Sequence, residues 1–558
     1  MQVAQYRSVA QSQTPAGRSP RKPSLSVGQV ASAARCCILA VIVTSSFGIL
    51  GAGGLCSAEK PELTMLFPAG GQSGASVDVV AQGKFPVWPL KVWSDSPHIQ
   101  WTCQAEAGKL QAVIGGDALP GLHWVRLFDD HGASAVRPFL IGGWQELSEV
   151  EPNDLVNQAQ VVPQLPFNMQ GILNKQADVD LFAVPLAQGQ LLAATLDSHK
   201  WLRSPADASL QILSPRGFVL QENLDHVGLD PYLEFTAPHA DTYFVRVFGF
   251  PADPNSTVAF SGGSDWVYRL RLETQASPLA SALDFAQQSD LTAAATPIAS
   301  GSHTTAAKAL PVELPARLTG TISQPQQANF IKLEARNGGH YRFSVLARDR
   351  GSELDASLVL YDTATKELKR LDDVGQNRDP VLDWKSPADG PLIVSIDDFH
   401  RRGGERFGYV LYIEERQPDF TLSATSDLFH TSVGQELEIA IGIARELDFA
   451  EPLQVSIEGL PSSATCAAVE SIHGSDTASK VTLKLTASEP LQMPLKIVAQ
   501  ATSATPEEPA AEPAAEPAAE PAAEAVQGPV PDVAGKLQWA KTADQKPMWL
   551  SVAPPAAP

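Results

Sequence analysis

The chain has 558 residues, including 40 glycines and 44 prolines, and only 7% of its residues are aromatic. This length is too great for one ordinary hydrophobic core, so we expect several domains of roughly 100 to 150 residues, built from short strands and turns. The formal net charge is −21, and because residues 1–58 carry five basic and no acidic side chains, the remainder carries −26. Such a body repels phosphate backbones, which argues against nucleic acid as a partner.

The first 58 residues have the pattern of an export signal. A basic, acid-free start leads into the apolar run "CCILAVIVTSSFGILGAGGLCSAEK", which ends in small residues, as a secretory signal peptide does. We predict a signal peptide over residues 1–58, cleaved after Ala58, and a secreted, periplasmic or cell-surface location. Lipoprotein attachment at Cys56 is an alternative, although the residues before this cysteine fit it poorly. An uncleaved anchor over residues 36–55 is another, and it is the only membrane contact that the sequence predicts.

Two cysteines, Cys103 and Cys466, remain after removal of the signal. They are far apart in the chain and belong to different predicted domains, so they do not form a disulfide framework. One bridge between them is an alternative to two buried thiols, and the sequence favours the thiols.

The rest of the chain alternates between apolar and polar residues in short segments. Examples are "SVDVVAQG", "HYRFSVLA" and "LEIAIGIA", which are separated by turn sequences such as "PAGGQSG" and "SPADG". This period of two is typical of half-buried antiparallel strands. We predict an all-β fold of tandem β-sandwiches, immunoglobulin-like and jelly-roll, joined by flexible linkers.

An internal repeat sets the domain boundaries. "GILNKQADVDLFAVPLAQGQ", "SPADASLQIL" and "YRLRLE" of the first copy correspond to "GTISQPQQANFIKLEARNGG", "SELDASLVLY" and "YVLYIE" of the second. We match Gly171 with Gly320, Phe182 with Phe330, Asp207 with Asp355, and Asp230-Pro231 with Asp379-Pro380. Two copies of one sandwich therefore follow each other in the chain.

The first copy resembles a known bacterial module. Its opening "EVEPND", its "DVDLF" strand and its closing "TYFVRV" and "YRLRLE" strands are similar to the pre-peptidase C-terminal (PPC) domain, a jelly roll appended to secreted proteins. The second copy lacks the acidic opening and resembles a degenerate copy of the same domain. The segments on either side resemble the immunoglobulin-like domains of large exported proteins of planctomycete-type bacteria.

These observations divide the chain into eight predicted parts. They are a signal peptide over 1–58, an immunoglobulin-like sandwich over 59–145, a PPC-type jelly roll over 146–274, a flexible linker over 275–309, a degenerate PPC-like domain over 310–416, an immunoglobulin-like sandwich over 417–502, a Pro/Ala/Glu spacer over 503–536, and a returning terminal strand over 537–558. The returning strand would make the spacer a long loop of the preceding sandwich.

Two acidic segments of the first copy form a candidate metal site. The side chains are Glu149, Glu151, Asn153, Asp154, Asp178 and Asp180. Calcium prefers six to eight such oxygen ligands, and collagen-binding PPC domains bind calcium through this opening and this pair, so the resemblance implies the same here. A purely structural interpretation also stands: Asn153 and Asp154 would cap a helix over "LVNQAQ", and Asp178 and Asp180 would be turn residues.

No catalytic motif is present in the sequence. It contains no nucleophile elbow, zinc-protease helix or phosphate-binding loop. His123, Asp129, Asp130 and His131 are close in sequence, but a strand and turn would separate them. Asp207 and Asp230 could act as a carboxylate pair, but their recurrence in the second copy favours a role in the fold. We predict that the protein is not an enzyme, and a hydrolase on an unrecognised sandwich is the alternative.

Two tryptophans of the first copy are candidate ligand platforms. Trp201 and Trp266 occupy loop-like positions, where flat rings stack on sugars or prolines, and core packing is the alternative. We predict an exported binding or surface-scaffold protein that recognises extracellular protein or polysaccharide. The alternative is an accessory chain or exosite for a secreted peptidase, since PPC domains often accompany peptidases.

Overall fold

The protein is an all-β chain of tandem sandwiches. A computed structural model describes residues 59–226, 228–251, 259–274, 295–348, 352–373, 378–502, 536–542 and 545–555. The described helices are α1 His199–Leu202 and a 3₁₀ helix, Ala306–Lys308. Within these ranges, no helix is both long and apolar enough to cross a membrane. The predicted signal peptide lies outside the described residues.

The first sandwich consists of two four-stranded sheets. Its strands are β1 Glu62–Phe67, β2 Gly70–Gln72, β3 Ser76–Lys84, β4 Lys91–Ser94, β5 Ile99–Cys103, β6 Lys109–Ile114, β7 Gly121–Phe128 and β8 Arg137–Gly142. One sheet has the order β1-β3-β6-β5 and the other β2-β8-β7-β4. Alternate residues of β6, from Leu110 to Ile114, are buried between the sheets, as expected of a half-buried strand. Cys103 in β5 is a free thiol, as is Cys466 near the other end of the chain.

The second sandwich consists of two five-stranded sheets. Its strands are β9 Glu146–Ser148, β10 Gln160–Val161, β11 Phe167–Ile172, β12 Val179–Leu186, β13 Leu191–Asp197, β14 Ala208–Leu213, β15 Val219–Asn223, β16 Tyr232–Thr236, β17 Asp241–Gly249 and β18 Val267–Glu273. The sheet orders are β10-β12-β17-β14-β15 and β16-β13-β18-β11-β9. The acidic opening is the connection from β9 in one sheet to β10 in the other.

The third sandwich repeats this arrangement strand for strand. Its strands are β19 Thr296–Pro297, β20 Leu310–Pro311, β21 Ala316–Thr321, β22 Ala328–Ala335, β23 His340–Leu346, β24 Ala356–Tyr361, β25 Glu367–Leu371, β26 Val381–Lys385, β27 Gly390–Asp398 and β28 Gly408–Arg416. The sheet orders are β20-β22-β27-β24-β25 and β26-β23-β28-β21-β19.

Two details of the repeat differ from the sequence-based prediction. The third sandwich begins before residue 310, because β19 pairs with β21 and Ile298 is buried in the core. The predicted linker over 275–309 therefore ends before β19, and its residues 275–294 lie outside the described part of the chain. The match of Phe182 with Phe330 is wrong by one residue. Phe182 is buried and pairs with Val245 of the neighbouring strand, and the residue with the equivalent buried position in the third sandwich is Ile331. A shift of one residue turns a strand side chain to the opposite face.

The fourth sandwich includes the end of the described chain. Its strands are β29 Asp419–Ala424, β30 Leu428–Ser432, β31 Leu437–Glu446, β32 Leu453–Glu458, β33 Ala464–Cys466, β34 Val469–Ser471, β35 Lys480–Ala487, β36 Leu491–Pro494, β37 Lys496–Ala501, β38 Leu537–Thr542 and β39 Trp549–Ala553. The sheet orders are β33-β35-β31-β29-β38-β37-β32-β34 and β30-β39-β36. The last two strands are thus interior strands of their sheets.

The Pro/Ala/Glu segment joins two neighbouring strands of this sandwich. Gln500 in β37 pairs with Leu537 in β38, so the chain leaves the sheet and returns beside the same strand. Residues 503–535, which contain the repeat, lie outside the described residues. Since β38 alone connects β29 with β37 in the eight-stranded sheet, the residues after the repeat belong to the core of the fourth sandwich.

The first sandwich contacts both the second and the fourth. Leu140 of β8 packs with Val267 of β18 in an apolar cluster. On the fourth sandwich, Trp549 is 1% exposed and packs against Phe128, with the ring centroids 5.0 Å apart. The buried Arg126 donates a hydrogen bond of 3.1 Å to a carboxylate oxygen of Asp427. Contacts between the first and fourth sandwiches therefore join segments that are 301 or more residues apart in sequence.

Candidate metal site

Backbone hydrogen bonds hold the acidic opening against the second sandwich. The N–H of Glu149 donates to the carbonyl oxygen of Gln170 in β11, at 2.9 Å, and the N–H of Leu181 in β12 donates to the carbonyl oxygen of Asn153, at 3.1 Å. The opening therefore runs beside the turn between β11 and β12, which carries Asp178. The six predicted side chains consequently lie at one end of the sandwich.

Three of the predicted carboxylates converge on one point. Glu151, Asp178 and Asp180 each offer one oxygen, and these three atoms lie within 4.8 Å of one another. The carboxylates of Asp178 and Asp180 are fully buried, whereas Glu151 is exposed. Two oxygens that both bind one calcium ion at its usual distance of roughly 2.4 Å are at most about 4.8 Å apart. The three oxygens therefore meet the distance condition for ligands of one calcium ion.

Asn153 adds a fourth oxygen to this cluster. Its side chain is fully buried, and its amide oxygen lies 3.1 Å from Oε2 of Glu151 and 3.1 Å from Oδ1 of Asp180. Either the amide turns over and donates to both carboxylates, or a cation lies among the oxygens. Oδ1 of Asp178 is buried and accepts no hydrogen bond from the described residues, and the nearest amine, Nζ of Lys175, is 3.9 Å away. An unsatisfied buried oxygen favours the cation.

Glu149 lies beside the cluster and contacts it through a tyrosine. Its carboxylate accepts hydrogen bonds from the N–H of Ile172, at 2.7 Å, and from the hydroxyl of Tyr268, at 3.2 Å. The same hydroxyl donates to Oδ2 of Asp180 at 2.6 Å. Burial raises the pKa of Glu149 to about 7, and burial followed by the adjacent Glu149 raises the pKa of Asp180 well above its usual range. Without a cation the two carboxyl groups therefore retain protons near neutral pH.

The structural interpretation of these residues holds only in part. Residues 155–158 form a turn, in which the N–H of Gln158 donates to the carbonyl oxygen of Leu155. The helix over "LVNQAQ" is absent from this described segment, so the predicted helix-capping role is wrong. Asp154 instead accepts a hydrogen bond from the N–H of Val179, at 3.3 Å. Asp178 does close its turn, because its Oδ2 accepts the N–H of Asn174 at 2.5 Å.

The third sandwich has the same backbone without the carboxylates. Ile298 occupies the position of Glu149, since its N–H donates to the carbonyl oxygen of Thr319, which corresponds to Gln170. Gln327 and Asn329 replace Asp178 and Asp180. The amide of Asn329 donates to the hydroxyl of Tyr409 at 2.9 Å and accepts from the amide of Gln327 at 2.9 Å. Neutral side chains thus satisfy one another here, which shows that the fold itself does not require the acidic cluster.

Sequence reasoning did not identify Tyr268 and Asn174 as parts of this site. Asn174 donates to Oε1 of Glu151 at 3.3 Å. A signal for the tyrosine was present, because Tyr268 and Tyr409 recur in the repeat opposite Gly171 and Gly320. A Cβ atom at either glycine would overlap the tyrosine ring. The recurrence of a glycine with a tyrosine therefore marked a close contact across the sheet.

Both predicted tryptophan platforms are packed against apolar neighbours. Trp201 follows β13 and packs on the apolar cluster between the first and second sandwiches, which includes Leu140 and Leu202. Trp266 packs on the core of the second sandwich, and its ring lies against Gly249. The structure therefore favours the packing interpretation of both residues over the ligand platform.

The aspartates Asp230 and Asp379, which recur in the two copies of the repeat, bond to backbone N–H groups. The carboxylate of Asp230 accepts the N–H groups of His199 and Lys200, at 2.7 and 3.0 Å, and Asp379 accepts two N–H groups in the same way in the third sandwich. These aspartates cap the loops after β13 and β23. Burial raises the pKa of Asp230 to about 7.

The residues around the β7 turn do not converge on a site. Asp129 accepts the N–H groups of His131 and Gly132, at 2.8 and 2.9 Å, whereas Asp130 pairs with Lys91. His123 lies against Asp95, at 3.5 Å. These contacts close a turn and pair surface charges.

Comparison with known proteins gives likenesses in fold only. No family model and no curated protein sequence matches the chain. Among solved structures, the pre-peptidase C-terminal domain of a collagenase from Bacillus anthracis is 12% identical, with coverage of 22% of this chain and 100% of that chain and a TM-score of 0.16.

Two larger structures also align. Escherichia coli alpha-2-macroglobulin activated by porcine elastase is 10% identical over 89% of this chain, which spans 44% of that chain, with a TM-score of 0.14. The ICAM-5 D1–D4 ectodomain fragment is 11% identical over 80% of this chain and 96% of that chain, with a TM-score of 0.12. The structural neighbours thus include a PPC domain and immunoglobulin-like ectodomains, and the assignment to tandem β-sandwiches rests on the sheets themselves.

Proposed function

We propose that the protein is an exported, non-catalytic binding or scaffold protein whose second sandwich is stabilised by one calcium ion. The observation that carries this proposal is the convergence of one oxygen each from Glu151, Asp178 and Asp180 within 4.8 Å of one another, with the side-chain amide of Asn153 3.1 Å from two of these carboxylates. The neutral replacements in the third sandwich support it, because the acidic residues are absent together while the fold is retained.

Calcium would supply positive charge to a buried set of like charges. Glu151, Asn153, Asp178 and Asp180 would hold the ion directly, and Glu149 would position Asp180 through the hydroxyl of Tyr268. Such an ion would bind the opening, which precedes β10, to the β11–β12 turn. The function of the ion is thus to fix the beginning of the sandwich. The oxygen ligands suit a hard cation, and water would complete its coordination.

Binding of an extracellular polymer is the role that this architecture suits best. The chain presents sandwiches with exposed loops, its acidic clusters outside the metal site cap loops or pair charges, and the resemblance of residues 149–273 is to a module of secreted proteins. We infer that the ligand is an extracellular protein or polysaccharide. Export follows from the basic and apolar start of the sequence, and calcium in extracellular fluids is abundant enough to fill sites of modest affinity.

Retention on insoluble polymers tests this function. The full chain, in calcium and in chelator, is applied to collagen, cellulose and the cell envelope of the producing organism. We expect saturable retention on one of these, weakened in chelator, because loss of the ion loosens the opening. Absence of retention on every polymer in calcium would refute the binding function, and retention unaffected by chelator would separate binding from the metal.

A further inference from the structure

The second sandwich exposes an apolar edge strand. Within the described residues, β15 pairs with β14 only and ends the sheet. Phe218, Val219 and Leu220 are 68%, 49% and 44% exposed. Proteins usually protect such an edge with charged residues, because its unpaired backbone groups accept another strand.

The third sandwich protects the same edge with charge. Its β25 is the equivalent strand, and the register of the two hairpins aligns Val219 with Glu367 and Gln221 with Lys369. Lys366 likewise replaces Phe218. The two sandwiches share one backbone, so the difference lies in the side chains and not in the fold.

Lys369 also extends across the open side of its sandwich. Its amine donates to the carbonyl oxygen of Asp383 in β26, at 3.2 Å, and the Asp383 carboxylate pairs with Arg342. The equivalent strand in the second sandwich is β16, where Glu234 corresponds to Asp383. A lysine side chain of the protein itself therefore lies between the two edges in the third sandwich.

The second sandwich has a cavity at this position. Its volume is about 340 Å³, and residues from Gln221 to Asn223, Glu234 and Arg406 are part of its lining. Glu234 accepts a hydrogen bond from the hydroxyl of Tyr232 at 2.7 Å. Arg406 comes from the third sandwich, where it pairs with Glu353. The cavity thus combines the carboxylate of Glu234 with the guanidinium group of Arg406 and the ring of His226, and it has space for a long side chain.

We propose that this edge binds an extended, basic polypeptide segment of a partner protein, which adds a strand to β15 and places a lysine side chain in the cavity. The unpaired backbone selects a polypeptide, because strand addition uses main-chain N–H and carbonyl groups. The formal charge of −21 and the lysine that the third sandwich places at the equivalent position select a basic partner over a second acidic copy. This inference deepens the proposed binding function by naming the class of ligand.

Fluorescence anisotropy with a defined peptide tests the proposal. The probe is a fluorescein-labelled peptide of alternating valine and lysine, and its control is the same peptide N-methylated at alternate residues, which has equal charge but cannot pair as a strand. The chain is compared with Gln221→Lys, which places the lysine of the third sandwich in the cavity. Gln188→Lys, in the exposed β12–β13 turn, is the matched control for charge.

We expect saturable binding of the probe to the chain and to Gln188→Lys, and binding at least about tenfold weaker, roughly 1.4 kcal/mol, to Gln221→Lys. If Gln221→Lys lowers the melting temperature, Phe218→Lys, which introduces the third-sandwich residue, gives the same test. Equal binding of the N-methylated peptide, equal weakening by both lysine variants, or no binding at all would overturn the proposal. So would a dimer in sedimentation equilibrium that Gln221→Lys abolishes. Retention on an insoluble polymer without peptide binding would refute this inference and leave the proposed function standing.

Discussion

Removal of calcium should make the stability of the second sandwich depend on pH. In chelator, the carboxyl groups of Glu149 and Asp180 are buried beside each other, and burial raises the pKa of Glu149 from 4.5 to about 7. When calcium is present, the positive charge of the ion replaces the protons that the Glu149 and Asp180 carboxyl groups otherwise retain. The two conditions should therefore differ most at neutral pH.

The size and sign of the effect follow from the pKa of Glu149. A rise from 4.5 to about 7 corresponds to roughly 3 kcal/mol, at about 1.4 kcal/mol for each pH unit. Because the folded state holds the proton more tightly than the unfolded state does, this stabilisation is complete below about pH 4.5 and is lost as the pH rises to about 7. The raised pKa of Asp180 acts in the same direction.

Urea unfolding with pulsed hydrogen exchange measures this loss in one sandwich. Peptides from β11, β12 and β18 report on the second sandwich, and those from β21, β22 and β28 report on the third, which serves as an internal control without the acidic cluster. Between about pH 4.5 and pH 7.5, the free energy of unfolding of the second sandwich should fall by about 3 kcal/mol more in chelator than in calcium, because the titration of Asp230, whose pKa is also raised to about 7, occurs in both conditions. Equal values at both pH values, or the same fall in calcium, would refute the reasoning.

Three further predictions concern single features of the fold. Asn329→Asp should destabilise the third sandwich by roughly 1–3 kcal/mol at neutral pH, because it introduces a buried carboxylate without a cation. The reverse change in the second sandwich, Asp180→Asn, should fold normally in chelator. An unchanged urea midpoint for Asn329→Asp would contradict this reasoning. Gly171→Ala should cost about 1–3 kcal/mol through overlap with the tyrosine ring behind it, whereas Gly143→Ala, which has open space around its Cβ, should be neutral by thermal melting. Deletion of residues 537–558 should abolish the unfolding transition of the fourth sandwich in calorimetry, and persistence of that transition would show that β38 and β39 are dispensable.

The sequence was sufficient for the fold class because alternation is a local property. Strands such as β31, with Ile439, Ile441 and Ile443 buried in alternation, have a pattern that does not depend on their partners. The start of the third sandwich was missed for the opposite reason. Its first strand has two residues, and one buried side chain, Ile298, is too little to distinguish a strand from a linker.

The candidate site was predictable in composition and not in detail. The clustering of six polar residues in two segments located the site, but the contribution of each depended on contacts across the sheets. Asp154 bonds a backbone N–H, Glu149 lies against Asp180 with the hydroxyl of Tyr268 bonded to both, and Asn153 lies among the carboxylates. The packing of Trp201 was not visible in the sequence for the same reason, because some of its neighbours, such as Leu140, come from the first sandwich.

Equilibrium dialysis with radioactive calcium tests the central claim most directly. The chain and the variant Asp178→Asn, which alters one of the three converging carboxylates, are dialysed side by side. The control is Asp129→Asn, which alters a carboxylate that closes a turn of the first sandwich. We predict one bound calcium ion per chain at millimolar free calcium, retained by Asp129→Asn and lost by Asp178→Asn. Absence of bound calcium in the unmodified chain, or equal binding by all three proteins, would contradict the assignment of the metal site.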